Sequence, residues 1–170
     1  MKKSRVELHS ALVHVRYTID QLISTIYWHK LEGKLPLDVT QKAIFANACW
    51  ESSLVSLRVL NEFFTPEKTK DRITASHYPG YSTSGAFLSQ PDVQWLNDHL
   101  AHLTWQRLKE PTSPWQHRLF LSALGPCRDF LQYLIRDFLS TTDSEHAPIS
   151  QELEAIELYL ARVRTVENSV

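Results

Sequence analysis

At 170 residues and 19.7 kDa the chain (1–170) is the size of one domain, long enough to bury a sizeable core. A net charge of −1 and a pI near 6.7 exclude a global electrostatic case for nucleic acid, leaving only local basic patches. Only 4 glycines weigh against a turn-rich all-β design, and no apolar run is long enough to span a bilayer, so no membrane partner is expected.

The first predicted helix covers about Ser4 to Leu31, where Leu8, Leu12, Val15, Ile19, Leu22 and Ile26 recur in alternating steps of four and three. Gly33 and Pro36 supply its stop signals, and His9 and His14 fall off the apolar seam, which places them at the surface. Met1-Lys2-Lys3 carries charge but lacks the apolar stretch of a signal peptide, so the chain reads as cytoplasmic.

A second helix is expected from Thr40, as N-cap, to Phe64. It is apolar nearly all round, as a central bundle helix would be. Ser52, Ser53 and Ser56 would let a neighbour approach closely, and one stripe carries Ile44, Ala48, Glu51, Val55, Arg58 and Glu62. Glu51 and Arg58 are the only charges between Ala43 and Asn61, so they are expected to be compensated by helix three, through His99, His102 or Arg107, or to lie at a cleft mouth.

Residues 65–90 break the periodicity and form a long loop, of the kind that is usually functional, a lid or mobile. Pro91-Asp92 then opens a third helix reaching about Lys109, with Leu96, Leu100, Leu103 and Arg107 in one row and Trp95, His99, His102 and Gln106 in the next. A fourth helix is expected from Trp115 to about Ser140, kinked or broken at Gly125-Pro126. Residues 141–148 read as a polar linker, and an amphipathic last helix runs from Ser150 to about Val166. The fold class is therefore all-α, an up-and-down bundle of about five helices. Cys49 and Cys127 sit inside apolar helical patterns and read as buried free thiols in a reducing compartment.

The motif search is mostly exclusion. There is no His-Glu-x-x-His, no Glu-x-x-His, no phosphate-binding glycine loop and no Gly-x-Ser-x-Gly elbow, so neither a metal nor a cofactor is expected. Asp98, His99 and His102 share a helical face, but they do not amount to a closed ligand set.

Arg58-Val59-Leu60-Asn61-Glu62-Phe63-Phe64 together with Asn97-Asp98-His99-Leu100-Ala101-His102-Leu103-Thr104 resembles the HEPN superfamily of small helical domains. Many of its members act as metal-independent endoribonucleases in toxin–antitoxin, phage-abortive-infection and CRISPR-linked systems. Their hallmark is Arg, a polar residue, three variable positions and His. Here Asp98 would be the polar residue and His102 the histidine, while Asn97 stands where the arginine belongs. An amide cannot supply the permanent charge that an arginine gives a phosphoryl transition state. Arg72-Ile73-Thr74-Ala75-Ser76-His77 has the same bare spacing but falls in the loop.

Two functions follow as expectations. The first is a non-catalytic or regulatory helical module, set by the resemblance in bacterial defence or toxin-linked systems, acting through a protein partner or as a homodimer. The alternative is a HEPN-type endoribonuclease acting on RNA, with His102 as general acid/base, Asn97, Asp98 and Glu51 around it, and Arg58 or Arg107 on the phosphate. A metal-dependent bundle enzyme ranks third.

Overall fold

The computed structural model describes residues 3–31, 34–66, 72–83, 85–100 and 117–167, with the backbone alone at 29, 30, 117 and 163–167. Its first helix, α1 (Arg5–Leu31), buries Leu8, Leu12, Ile19, Leu22 and Ile26, the seam that the spacing predicts. Ser4 caps it reciprocally: Glu7 N–H donates to Ser4 Oγ at 3.2 Å, and Ser4 N–H donates to Glu7 Oε2 at 2.7 Å.

The second helix, α2 (Val39–Phe64), starts one residue before Thr40, because Asp38 is the N-cap and Gln41 completes a capping box. It is the central element, packing against α1, against α3 (Gln90–Leu100), against α4 (His117–Tyr133) and against a 3₁₀ turn (Ala75–His77). The serines let α1 approach as expected. Ser53 and Ser56 are buried, Thr25 Oγ1 lies 3.2 Å from Ser53 Oγ, and Ser52 Oγ donates to Gln21 Oε1 at 3.4 Å.

Helix α4 runs unbroken through Gly125-Pro126, so of the expected kink or break the break does not occur. Proline removes a single backbone donor, while Ala123, Leu124, Cys127, Phe130 and Leu131 on the same helix are all buried, and that packing holds the turn together. After Tyr133 the chain closes a π-turn (Leu134–Phe138), ended by Leu139 N–H donating to Leu134 O at 2.8 Å.

The last helix, α5 (His146–Glu167), begins inside the segment expected to be linker. Pro148 lies in its first turn, where a missing N–H costs no intrahelical bond, so it does not delay the start. The 140s segment is tied to α1: His9 Nε2 lies 3.3 Å from Asp143 Oδ1, and Arg16 Nε donates to Glu145 Oε2 at 3.0 Å. His9 is therefore half-buried rather than a free surface histidine.

The described parts of the long loop belong to the core. Tyr78 is fully buried and its hydroxyl donates to Leu8 O at 3.0 Å, while Phe63, Phe130 and Phe138 meet its ring edge-on. Burial, reinforced by Tyr133, raises the Tyr78 phenol well above its ordinary range. Tyr133 Oη donates to Pro79 O at 2.7 Å, and Thr83 Oγ1 donates to Phe64 O at 2.9 Å. One apolar cluster thus draws on all five helices and on this loop, and no strand occurs among the described residues. No described helix is long and apolar enough to cross a membrane.

Candidate functional site on helices α2 and α3

Asn61 organises this region from below. Its buried carboxamide oxygen accepts from Phe87 N–H at 3.1 Å and Leu88 N–H at 2.9 Å, which fixes the chain's approach to α3. Ser89 then caps α3, with Ser89 Oγ donating to Asp92 Oδ2 at 2.6 Å and Asp92 N–H donating back to Ser89 Oγ at 3.3 Å. Arg118 on α4 adds a forked pair to the same carboxylate, and those hydrogen bonds hold Asp92 below the usual carboxylate range.

With α3 so placed, Arg58 and Glu62 from α2 and Val93, Leu96 and Asn97 from α3 line one small hollow of about 60 Å³. Two of the residues singled out by sequence, Arg58 and Asn97, therefore line the same hollow. Arg58 is exposed and donates from Nε to Glu62 Oε1 at 3.3 Å, and Arg72 donates to the other oxygen of Glu62 at 2.9 Å. Glu62 is thus gripped between two guanidinium groups, one from its own helix and one from the loop.

The other side of that charged row is a larger groove of about 310 Å³ between α1, α2 and residues 72–74. Val15, Val59, Phe63 and Ile73 give it an apolar lining, and His14, Thr18, Glu62, Arg72 and Thr74 supply polar groups. Sequence reading missed this groove. The Arg58/Glu62 step of four was available as a signal, but nothing in the spacing brings Arg72 back over α2 from ten residues away.

Glu51 and Arg58 are exposed rather than buried against α3, and of the two alternatives the cleft mouth is the one that describes Arg58, which lines the hollow with Asn97. The reason is geometric. Among the described residues four elements pack against α2 but leave its outer stripe open, so Ile44, Val55 and Val59 are exposed beside the charges and apolar content overstated burial. His99 does not pair with either charge. It is 7% exposed, its ring stacks on Trp95 at 4.0 Å, and Nδ1–H donates to Trp95 O at 2.7 Å. Its Nε2 finds no hydrogen-bond partner among the described residues.

Asp98 accepts from Gln94 Nε2 at 2.9 Å, one turn back along α3. His102 and Arg107 lie outside the described residues, so any pairing of theirs does too. In the loop, His77 Nδ1 accepts from Thr74 N–H at 3.1 Å and caps the 3₁₀ turn, while Arg72 turns to Glu62. The two residues of that bare spacing therefore serve different contacts. Among the described residues no group of three or more histidine, cysteine or acidic side chains could hold a metal. Neither Cys49 nor Cys127 is in a disulfide and both are buried, and burial pushes the Cys127 thiol far above its ordinary value. No protein-family model matches the chain, and no curated protein or solved structure matches it either.

Proposed function

We propose that this chain is a non-catalytic helical-bundle module that works by associating with a protein, through the outer face of α2. The observation that carries the reading is the stripe of aliphatic side chains left open on the central helix: Ile44 is 64% exposed, Val55 50% and Val59 46%. On the other faces of the same helix Leu54, Leu57 and Leu60 are buried, so the stripe is a distinct surface rather than a loosely packed helix. Contiguous exposed apolar residues flanked by charge mark interaction sites on soluble proteins. In the setting implied by the HEPN resemblance, such a module would serve a bacterial defence or toxin-linked system.

A second reading, a HEPN-type endoribonuclease, draws on one observation: Arg58 and Asn97 share a hollow, with Asp98 next in sequence and His102 four residues further along the sequence. It would use His102 as general acid/base and Arg58 as the phosphate-stabilising cation. Cleavage of single-stranded RNA without added metal separates the two. Background activity in wild type, Asn97→Ala and His102→Ala is the expected result. Activity that disappears in both variants would replace the module by the enzyme.

A further inference from the structure

We infer that the small hollow between α2 and α3 receives the carboxylate of an acidic side chain on the protein partner. The inference rests on the association reading above and states the chemistry that the partner brings. The residue that points to it is Asn61, which is 7% exposed. Its Oδ1 accepts from both Phe87 N–H and Leu88 N–H, and only an oxygen can do so, which settles the orientation of the carboxamide. The other end carries two N–H donors on Nδ2, and among the described residues neither has an acceptor. Nδ2 is not sealed in the core, since the fully enclosed nitrogens without partners are those of His9 and His99. The space to which it opens is the hollow that Asn61 lines. Donors held in a buried side chain are costly to leave without an acceptor, so such a place suits a ligand that supplies one.

The surrounding residues set the sign and size of that ligand. Arg58 lies three residues before Asn61 on the same side of α2, and its bond to Glu62 uses Nε–H alone of the five guanidinium donors. Asn97 faces them from α3, half-buried, and its carboxamide makes no hydrogen bond among the described residues. Donors thus converge from both helices. Glu62 is the acid on the described lining, and both its oxygens are taken by Arg58 and Arg72, so two positive charges stand against one negative. A surplus of one positive charge matches a single carboxylate better than a doubly charged phosphate. Size agrees. At ~10–15 Å³ for each water-sized group, a hollow of about 60 Å³ admits roughly four, the CH₂–COO⁻ end of an aspartate or glutamate. Arg58 and Glu62 also sit on the outer stripe of α2 with Val55 and Val59 exposed beside them, so a partner lying on that stripe can send one acidic side chain into the hollow.

The side-chain amides themselves report the site. Titrating the ¹⁵N-labelled chain with acetate, the carboxylate head alone, should move the Asn61 and Asn97 NH₂ signals saturably, with a dissociation constant of ~1–100 mM, whereas chloride at equal ionic strength should not. Arg58→Gln, at an exposed position and with Glu62 still held by Arg72, should weaken acetate by at least about tenfold, because charged hydrogen bonds are the stronger class. Asn61→Asp keeps an oxygen for the two backbone N–H groups but replaces the donors by a second acceptor, so the response at Asn97 should vanish. If Asn61→Asp does not fold, Arg58→Gln decides alone. Inorganic phosphate should bind more weakly than acetate. Phosphate bound more tightly would overturn the carboxylate in favour of a phosphate-bearing ligand such as a nucleic-acid backbone. No saturable shift up to ~100 mM acetate, or a response untouched by Arg58→Gln, would overturn the site while leaving the association reading to stand or fall by the RNA assay.

Discussion

Glu152→Gln should stabilise the bundle above neutral pH and leave it unchanged in acid. Glu152 lies half-buried on α5 against α1, and burial first, then the nearby Asp20 carboxylate, push its carboxyl from the ordinary 4.5 up to about 7, with Arg16 pulling the other way. Arg16 relieves the crowding only in part, being bonded to Glu145 at 3.0 Å. A raised carboxyl means that the folded chain holds its proton more tightly than the unfolded chain does. The resulting stability is fully present below the unfolded value near 4.5 and is lost as pH rises to about 7. A gap of about two and a half pH units at 1.36 kcal/mol each sets a ceiling of about 3.4 kcal/mol. Because the side chain is only half-buried, solvent screening reduces this to ~1–2 kcal/mol. Urea unfolding of wild type and Glu152→Gln from pH 4 to pH 8 gives the difference directly, since all other titrating groups are common to both. The expected difference is near zero in acid and grows to ~1–2 kcal/mol in favour of the glutamine at pH 8. Two stability curves running parallel over the whole range would refute the reasoning.

Three further substitutions, at two positions, probe how the chain around α2 is held. Asn61→Leu should cost ~2–4 kcal/mol in denaturant unfolding, because it strands the N–H groups of Phe87 and Leu88 that the carboxamide oxygen satisfies. A loss below half a kcal/mol would mean that those amides find other acceptors. Tyr78→Phe should cost only ~0.5–1.5 kcal/mol, since it removes the bond to Leu8 O but keeps the ring among Phe63, Phe130 and Phe138, whereas Tyr78→Ala should cost ~3–5 kcal/mol through the cavity it leaves.

What was legible in the sequence was whatever depends on period. The α1 seam, the central place of α2 and the buried row of α5 through Ile149 and Ile156 all follow from apolar residues recurring in steps of three and four. Periodicity cannot tell which apolar stripe of α2 is covered, because that depends on how many neighbours the fold supplies, and so it leaves Glu51 and Arg58 open between an interior pairing and a cleft mouth. The loop was opaque for another reason. Ser76-His77-Tyr78-Pro79-Gly80-Tyr81 carries turn residues and no period, yet its aromatic rings are what α4 packs against. Helix starts shifted where capping chemistry outweighed pattern: Asp38 with Gln41 at α2, Ser89 with Asp92 at α3, and the tolerance of a first turn for Pro148 at α5. At the candidate site, Arg58 and Asn97 line one hollow because Asn61 and Ser89 fix how the chain enters α3, which no spacing rule supplies. The grip of Arg72 on Glu62 depends on a loop path that no local rule supplies.

The measurement that bears most directly on the central claim is a time course of RNA cleavage, without added metal, by wild type, His102→Ala and His77→Ala under identical conditions. A working histidine acid/base typically supplies ~10²–10⁴-fold, so a true active site would show an unmistakable drop on its removal. A non-catalytic association module predicts equal background in all three proteins. Robust wild-type cleavage abolished in His102→Ala and kept in His77→Ala would contradict it.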